Sequence, residues 1–201
     1  METAKKADKK ELIREAAIRV IAREGFYTTT TDRIAAEAGV AVGTVYNYFK
    51  NKEDILSYIF EVEYEKRAKF YKQLQERDAL SALEKLYLIL EKHLLEVQKN
   101  PDIGIIILSE RRFPRQCQFI ALDHKKGLPL FLSEIISEGR EKGELHCGDP
   151  QKVSTIIFGA LEAILASYLL KLEEGKEVGG QYLKDSLAEL MRLVSSGIKT
   201  T

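Results

Sequence analysis

The chain has 201 residues, 45% of them hydrophobic and 31% charged, with four prolines and no tryptophan. That is ample apolar material for one large or two small cores, so the chain is globular. Its 31 basic and 31 acidic residues cancel, which taken alone argues against a nucleic-acid partner. The balance hides an asymmetry: Met1 to Lys52 holds ten Lys and Arg against seven Asp and Glu, net +3, and the remainder 21 against 24, net −3. A modestly basic head on a mildly acidic body suits a protein that touches DNA at one end.

Taken in order, Met1 to Lys10 is expected to be a disordered basic arm giving nonspecific electrostatic help. It carries no apolar signal core, so no export signal is visible. Lys9 to Glu24 places Leu12, Ile13, Ala16, Ala17, Val20 and Ile21 at helical period. Gly25 ends that helix and Phe26 turns back into a small core.

Thr30 to Lys52 then carries the strongest signal. Thr29 or Thr30 caps a short helix with Ile34, Ala35 and Ala38 facing inward, and Gly39 stands where a left-handed stop is wanted. Val40 plugs the turn. Ala41 to Phe49 offers a second helix, with Val45 and Phe49 four apart on one face and Thr44, Asn47 and Tyr48 on the other. Two helices joined by a tight turn, the second presenting hydroxyls, an amide and flanking lysines, are the arrangement that enters a DNA major groove. Thr44 and Asn47 suit base edges, and Val42 a thymine methyl. Tyr48, Lys50 and Lys52 suit phosphates, Thr31 adds a contact from the preceding helix, and Tyr46 either meets DNA or packs within the head.

The run Gly25-Phe26, Thr30, Ile34-Ala35, Ala38-Gly39-Val40, Gly43-Thr44-Val45-Tyr46, Tyr48-Phe49-Lys50 and Lys52-Glu53 resembles the N-terminal domain of TetR-family repressors. The resemblance implies an all-α fold. Residues 1–52 would be a three-helix DNA-binding head with the helix-turn-helix, and 53–201 a larger helical domain that binds an effector and dimerises. It also implies a cytoplasmic homodimer on double-stranded DNA with a palindromic operator.

A long helix starting at Asn51 or Lys52 would link the two domains. Asp78 to Lys99 is a further stripe, carrying Leu80, Leu83, Leu86, Leu90, Leu94 and Val97. Pro101 opens a helix whose Ile105-Ile106-Ile107-Leu108 run is apolar all round, so burial on every side is expected. Cys117 to Lys142 is helical with a break at Gly127-Leu128-Pro129, and Gly143 stops it. Asp149 caps and Pro150 opens the next helix. Pro150 to Leu172 approaches a membrane span in length, but Glu162 at its centre favours a buried core helix, and no membrane partner is expected. Tyr182 to Ile198 sets Leu183, Leu187, Leu190 and Val194 on one seam. With Ile156, Ala160 and Ala163, that seam is expected to form a two-fold dimer interface.

No catalytic or metal-binding set emerges. His93, His124 and His146 are scattered, Cys117 and Cys147 have no metal or redox spacing, and the sequence lacks HExxH, GxSxG and GxxxxGK[ST] patterns. An enzyme is therefore not expected, nor a cofactor beyond a small-molecule effector. Tyr48 to Leu56, Ile136 to Glu144 and Ile157 to Ala160 resemble, more loosely, fatty-acid-metabolism repressors that respond to long-chain acyl-CoA. On that resemblance Ile106, Leu108, Phe131, Phe158, Leu161 and Leu165 would line an acyl tunnel, and Arg111, Arg112 and Arg115 would hold the nucleotide phosphates. The same residues also read as plain core and a solvated corner. Two alternatives stay open: a multidrug-efflux repressor sensing a cationic or aromatic molecule through Glu162, and a helical ligand-binding protein that never touches DNA.

Overall fold

The computed structural model of the chain describes residues 2–110, 127–176 and 178–198. Among these are nine helices and no strand. They fall into two compact units, one holding the chain to Glu65 and resuming at Asp102, the other holding Lys66–Pro101 and the chain from 127 onward.

The first unit is built from α1 (Glu2–Glu24), α2 (Thr31–Ala38), α3 (Val42–Tyr46), the first part of α4 (Lys52–Gln75) and α6 (Pro101–Glu110). Ile13, Ala17 and Ile21 of α1, Ile34 of α2, Val45 of α3 and Ile55 and Ile59 of α4 meet in one core. The head is thus larger than the expected 1–52, because early α4 and α6 fold into it. The expected arm before Lys10 is helical from Glu2, since Glu2, Ala4, Lys5, Lys6, Ala7 and Lys9 are strong helix formers even without an apolar face.

α6 corrects a further expectation. Its isoleucine run is not buried on every side: Ile103 and Ile106 are, while Ile105, Ile107 and Leu108 are half-buried. The helix begins at Pro101, and residues three apart share a face, which turns Ile103 and Ile106 into the core of the head. Ile106 is therefore a core residue of the first unit, not a wall of a cavity in the second.

The second unit holds α5 (Ala82–Lys99), α7 (Leu128–Glu141), α8 (Pro150–Glu173), α9 (Gly180–Ile198) and the end of α4. α5 starts at Ala82, later than expected, because Ser81 and Glu84 close a capping box: Glu84 N–H donates to Ser81 Oγ (3.3 Å) and Ser81 N–H to Glu84 Oε2 (2.8 Å). Hydrogen bonds from the Ser81 side chain and backbone hold Glu84 below the usual carboxylate range. Lys85, 1% exposed, donates its ammonium to Gln75 O (3.0 Å) and Glu138 Oε1 (3.2 Å), clamping α4, α5 and α7 at one point.

Beside that clamp α5 and α7 cross at Gly139, where an added Cβ would stand 2.5 Å from Ala82 Cβ and 2.8 Å from a Leu145 methyl. Gly139→Ala is therefore expected to lower stability by about 1–3 kcal/mol despite alanine's better helix propensity. A urea titration checks it, and unchanged or raised stability would show that the crossing can open without cost.

α7 begins after Gly127, whose φ of 82° breaks the chain where the break was expected. The expected helical segment before it, with Cys117, lies outside the described residues. Asp149 caps α8 by accepting from Gln151 N–H (2.9 Å), and Pro150 opens the helix. α8 is long and apolar enough to cross a membrane by length and composition. Its Ile157, Phe158, Leu161, Leu165 and Leu169 are nonetheless buried, and the helix packs against α7 and α9.

The α9 seam is also corrected. Leu183, Leu187, Leu190 and Val194 are 3%, 2%, 7% and 9% exposed within the single chain, and α9 packs on α5 and α8. Helical period shows that a face is covered but not by what. Here its own chain covers it.

Candidate nucleic-acid interface and effector core

In the head, Thr30 Oγ1 accepts from Arg33 N–H at 3.3 Å, so α2 starts where the cap was expected. Gly39 stops it with φ 65°, and the N–H groups of Gly39 and Val40 return to Ala36 O (3.1 Å) and Ala35 O (3.0 Å). α3 is shorter than expected, ending at Tyr46. Asn47 follows in a turn whose N–H reaches both Gly43 O and Thr44 O at 3.2 Å, and Tyr48 and Phe49 N–H both bond Val45 O at 3.0 Å. Tightening the last turn suits a segment of β-branched and aromatic residues, which are only moderate helix formers.

Val45 and Phe49 are buried, as the four-residue spacing predicted. On the outer side Tyr46, Asn47 and Lys50 are exposed and Thr44 is half-buried, while Val42 and Tyr48, also half-buried, pack in part against the core of the head. Thr31 and Tyr46 meet: Thr31 Oγ1 and Tyr46 Oη are 3.0 Å apart, pinning α3 to the start of α2 while the Tyr46 ring stays 54% exposed. These six side chains, with Thr31, all belong to the helix-turn-helix and the turn that follows it.

Lys52 is placed differently from the rest. Its ammonium donates to Phe26 O (2.9 Å), Tyr27 O (3.1 Å) and Thr29 O (3.1 Å), and lies 4.7 Å from the centre of the Phe26 ring. An ammonium has three protons, and all three are engaged. Lys52 braces the first turn of α4 to the loop ahead of α2, and a phosphate would have to compete with three carbonyls for it.

Other residues of the head were not singled out from sequence. Arg14, 5% exposed on α1, holds Glu11 (2.5 Å) and Glu63 of α4 (3.4 Å). The signal for it was a charge interrupting an apolar stripe, three residues from Ala17 and four from Ile18. Lys10 Nζ lies 3.6 Å from the centre of the Tyr58 ring and 5.6 Å from that of Phe49. The hydrogen bond from Arg33, with a second from Arg23, holds Glu24 below the usual carboxylate range, and the bond from Arg19 does the same for Glu37. Much of the head's arginine charge is thus compensated on its own surface.

In the second unit Phe131, Phe158, Leu161 and Leu165 are buried together with Tyr71 and Tyr168, while Glu162 is half-buried on α8. Tyr71 packs edge-on against Phe131, ring centres 5.0 Å apart. Leu108 is half-buried on α6, in the other unit. Arg111, Arg112 and Arg115 lie outside the described residues, as does His124. Among the described residues no cluster of His, Cys, Asp and Glu is arranged to hold a metal.

The model of bacterial regulatory proteins of the tetR family matches residues 13–59, and that of the C-terminal region of YsiA-like protein matches residues 64–178. The fatty acid metabolism regulator protein of Bacillus subtilis (strain 168) is 32% identical over 181 residues, 88% of this chain and 90% of its own. The chain belongs to the tetR family. It is a helix-turn-helix DNA-binding transcription regulator of that family, similar to fatty-acid-metabolism regulators. Among solved structures, the transcriptional regulator FadR of Bacillus subtilis in complex with stearoyl-CoA is 30% identical with TM-score 0.77, covering 93% of this chain and 98% of that one. The fatty acid degradation regulator FadR of Bacillus halodurans is 27% identical with TM-score 0.78, covering 94% and 95%.

Asn47 is exposed beside the half-buried Thr44, and an amide of that kind has the donor and acceptor needed to address a base edge. Asn47→Ala is expected to relax preference at one base pair of each half-site by about 1–3 kcal/mol while leaving other positions unchanged. Gel-shift competition with singly substituted operators measures it, and an unaltered preference profile would remove Asn47 from the readers.

Proposed function

We propose that this regulator is a homodimeric repressor of fatty-acid-metabolism genes that leaves a palindromic operator when long-chain acyl-CoA binds its second unit. The observation that carries the reading is similarity running through both units to a fatty acid metabolism regulator protein, at 32% identity, together with likeness to a FadR bound to stearoyl-CoA. In this chain Phe131, Phe158, Leu161 and Leu165 supply an apolar interior suited to an acyl chain. Thr44 and Asn47 read bases, Val42 meets a thymine methyl, and Tyr48, Lys50, Thr31 and Tyr46 hold the backbone register. Arg111, Arg112 and Arg115 bind the nucleotide phosphates. The protein works in the cytoplasm.

Dimerisation runs through α8. Ile156 is 71% exposed and Leu170 56%, and between them Gly159, Ala163 and Ala166 are exposed, with Ala160 half-buried. Small residues flanked by large apolar ones at helical spacing let a second helix approach closely, and a C2 axis brings the same stripe from both copies together. Leu193 of α9, 66% exposed, extends the apolar face.

The test is a titration of the duplex upstream of the protein's own gene, with stearoyl-CoA, free CoA or a cationic dye added. Release by stearoyl-CoA but not by free CoA is expected. Tight specific binding that ignores stearoyl-CoA and yields to the dye would replace the acyl reading with a drug-sensing one.

A further inference from the structure

Tyr71 carries a buried hydroxyl that bonds to nothing among the described residues. The residue is 1% exposed on the far part of α4, and among the described residues its Oη has no hydrogen-bond partner. Its surroundings are aromatic, with Phe131 edge-on at 5.0 Å and Phe70 at 6.0 Å between ring centres. A phenylalanine would keep these contacts and spare the protein a hydroxyl stripped of water and left unpaired, which is a net cost to folding. Buried polar groups almost always find partners, and each exception calls for a specific explanation, of which a functional role is one and a water or ion another.

We propose that the Tyr71 hydroxyl donates to the acyl carbonyl oxygen of the effector, with Phe131 beside it against the chain. This rests on the acyl-effector reading and names the group that tells an acyl compound from any other apolar one. Burial pushes the phenol's pKa up, and the charge of Glu96 adds to that while Arg67 opposes it. At neutral pH the group is therefore an O–H donor, which suits an acceptor such as a thioester or carboxylate oxygen. Arg67, one turn earlier on α4, puts positive charge near the same oxygen. The donor stands on the helix whose first residue is Lys52, so a bond made here acts on the element that braces the loop ahead of α2.

The experiment compares the full-length protein with Y71F, using stearoyl-CoA, stearate and S-octadecyl-CoA, a thioether with no carbonyl. Thermal shift reads binding, and release from operator DNA reads function. Without ligand, Y71F should melt at the same temperature as the wild type or higher. With stearoyl-CoA it should need at least ten times more ligand, about 1.4 kcal/mol, for half-maximal stabilisation. With S-octadecyl-CoA the two proteins should respond alike. Stearate separates the sources of the carbonyl: the same loss in Y71F means a free acid is read too, and no binding of stearate by the wild type means the thioester alone is.

Equal stearoyl-CoA midpoints for the two proteins, or a Y71F that melts below the wild type without ligand, would overturn the assignment of Tyr71. Stabilisation by stearoyl-CoA without release from DNA would overturn the repressor reading and leave Tyr71 in place. A wild type that no acyl compound stabilises would overturn both.

Discussion

Replacing Arg14 by alanine should lower the stability of the head by about 3 kcal/mol or more. The guanidinium is 5% exposed among the apolar residues of α1, and Glu63 on α4, 9% exposed, is 3.4 Å away. A charge taken out of water is costly, and only close opposite charge and hydrogen bonding offset it. Arg14 has that offset from Glu63 and from Glu11, at 2.5 Å. Glu11 has a side chain 40% exposed, so its share is small, of the order of a surface pair. Removing Arg14 strips a cation from the buried Glu63 carboxylate and opens a hole beside Ala17 and Ile18. An apolar pair of similar volume should behave quite differently: R14M/E63L is expected to recover most of the loss, because no charge is left buried. Urea denaturation of R14M, E63L and R14M/E63L gives the coupling energy, with R14A measuring the full loss. Strictly additive costs would show that the two residues do not act as a pair.

The helix-turn-helix was legible because its instructions are local. Thr30 and Gly39 mark the two ends of α2 through their own backbone preferences, and Asp149-Pro150 and Pro101 do the same for α8 and α6. Where an outcome depended on distant parts of the chain, the sequence supported several readings. The α9 leucines carry a seam that a second copy or α5 and α8 can equally cover. The isoleucines of α6 could face either unit, and only the phase set at Pro101 sends Ile106 into the head. Nothing local marks Tyr71 in the sequence, because only the packing of the folded chain leaves its oxygen without a partner among the described residues. Lys52 announced a charge next to a DNA-reading helix, and its partners lie 23 to 26 residues back along the chain.

That last case can be decided by chemistry. If Lys52 is a brace, Lys52→Ala should cost about 2–4 kcal/mol of head stability, somewhat less than three separate charge-assisted bonds because the side chain is only half-buried. DNA binding should then weaken equally for every sequence, with the salt dependence unchanged, because no phosphate contact has been lost. A phosphate contact predicts the opposite pattern: near-normal stability and a salt slope shallower by about one counterion. Lys52→Arg separates the two more sharply still. It keeps the positive charge and would serve a phosphate at least as well. A planar guanidinium, however, cannot place its donors on Phe26, Tyr27 and Thr29 carbonyls that converge on a single nitrogen. Denaturation and salt-titrated binding of Lys52→Arg should therefore resemble those of Lys52→Ala, because the geometry of three carbonyls, more than the charge, is what selects lysine here.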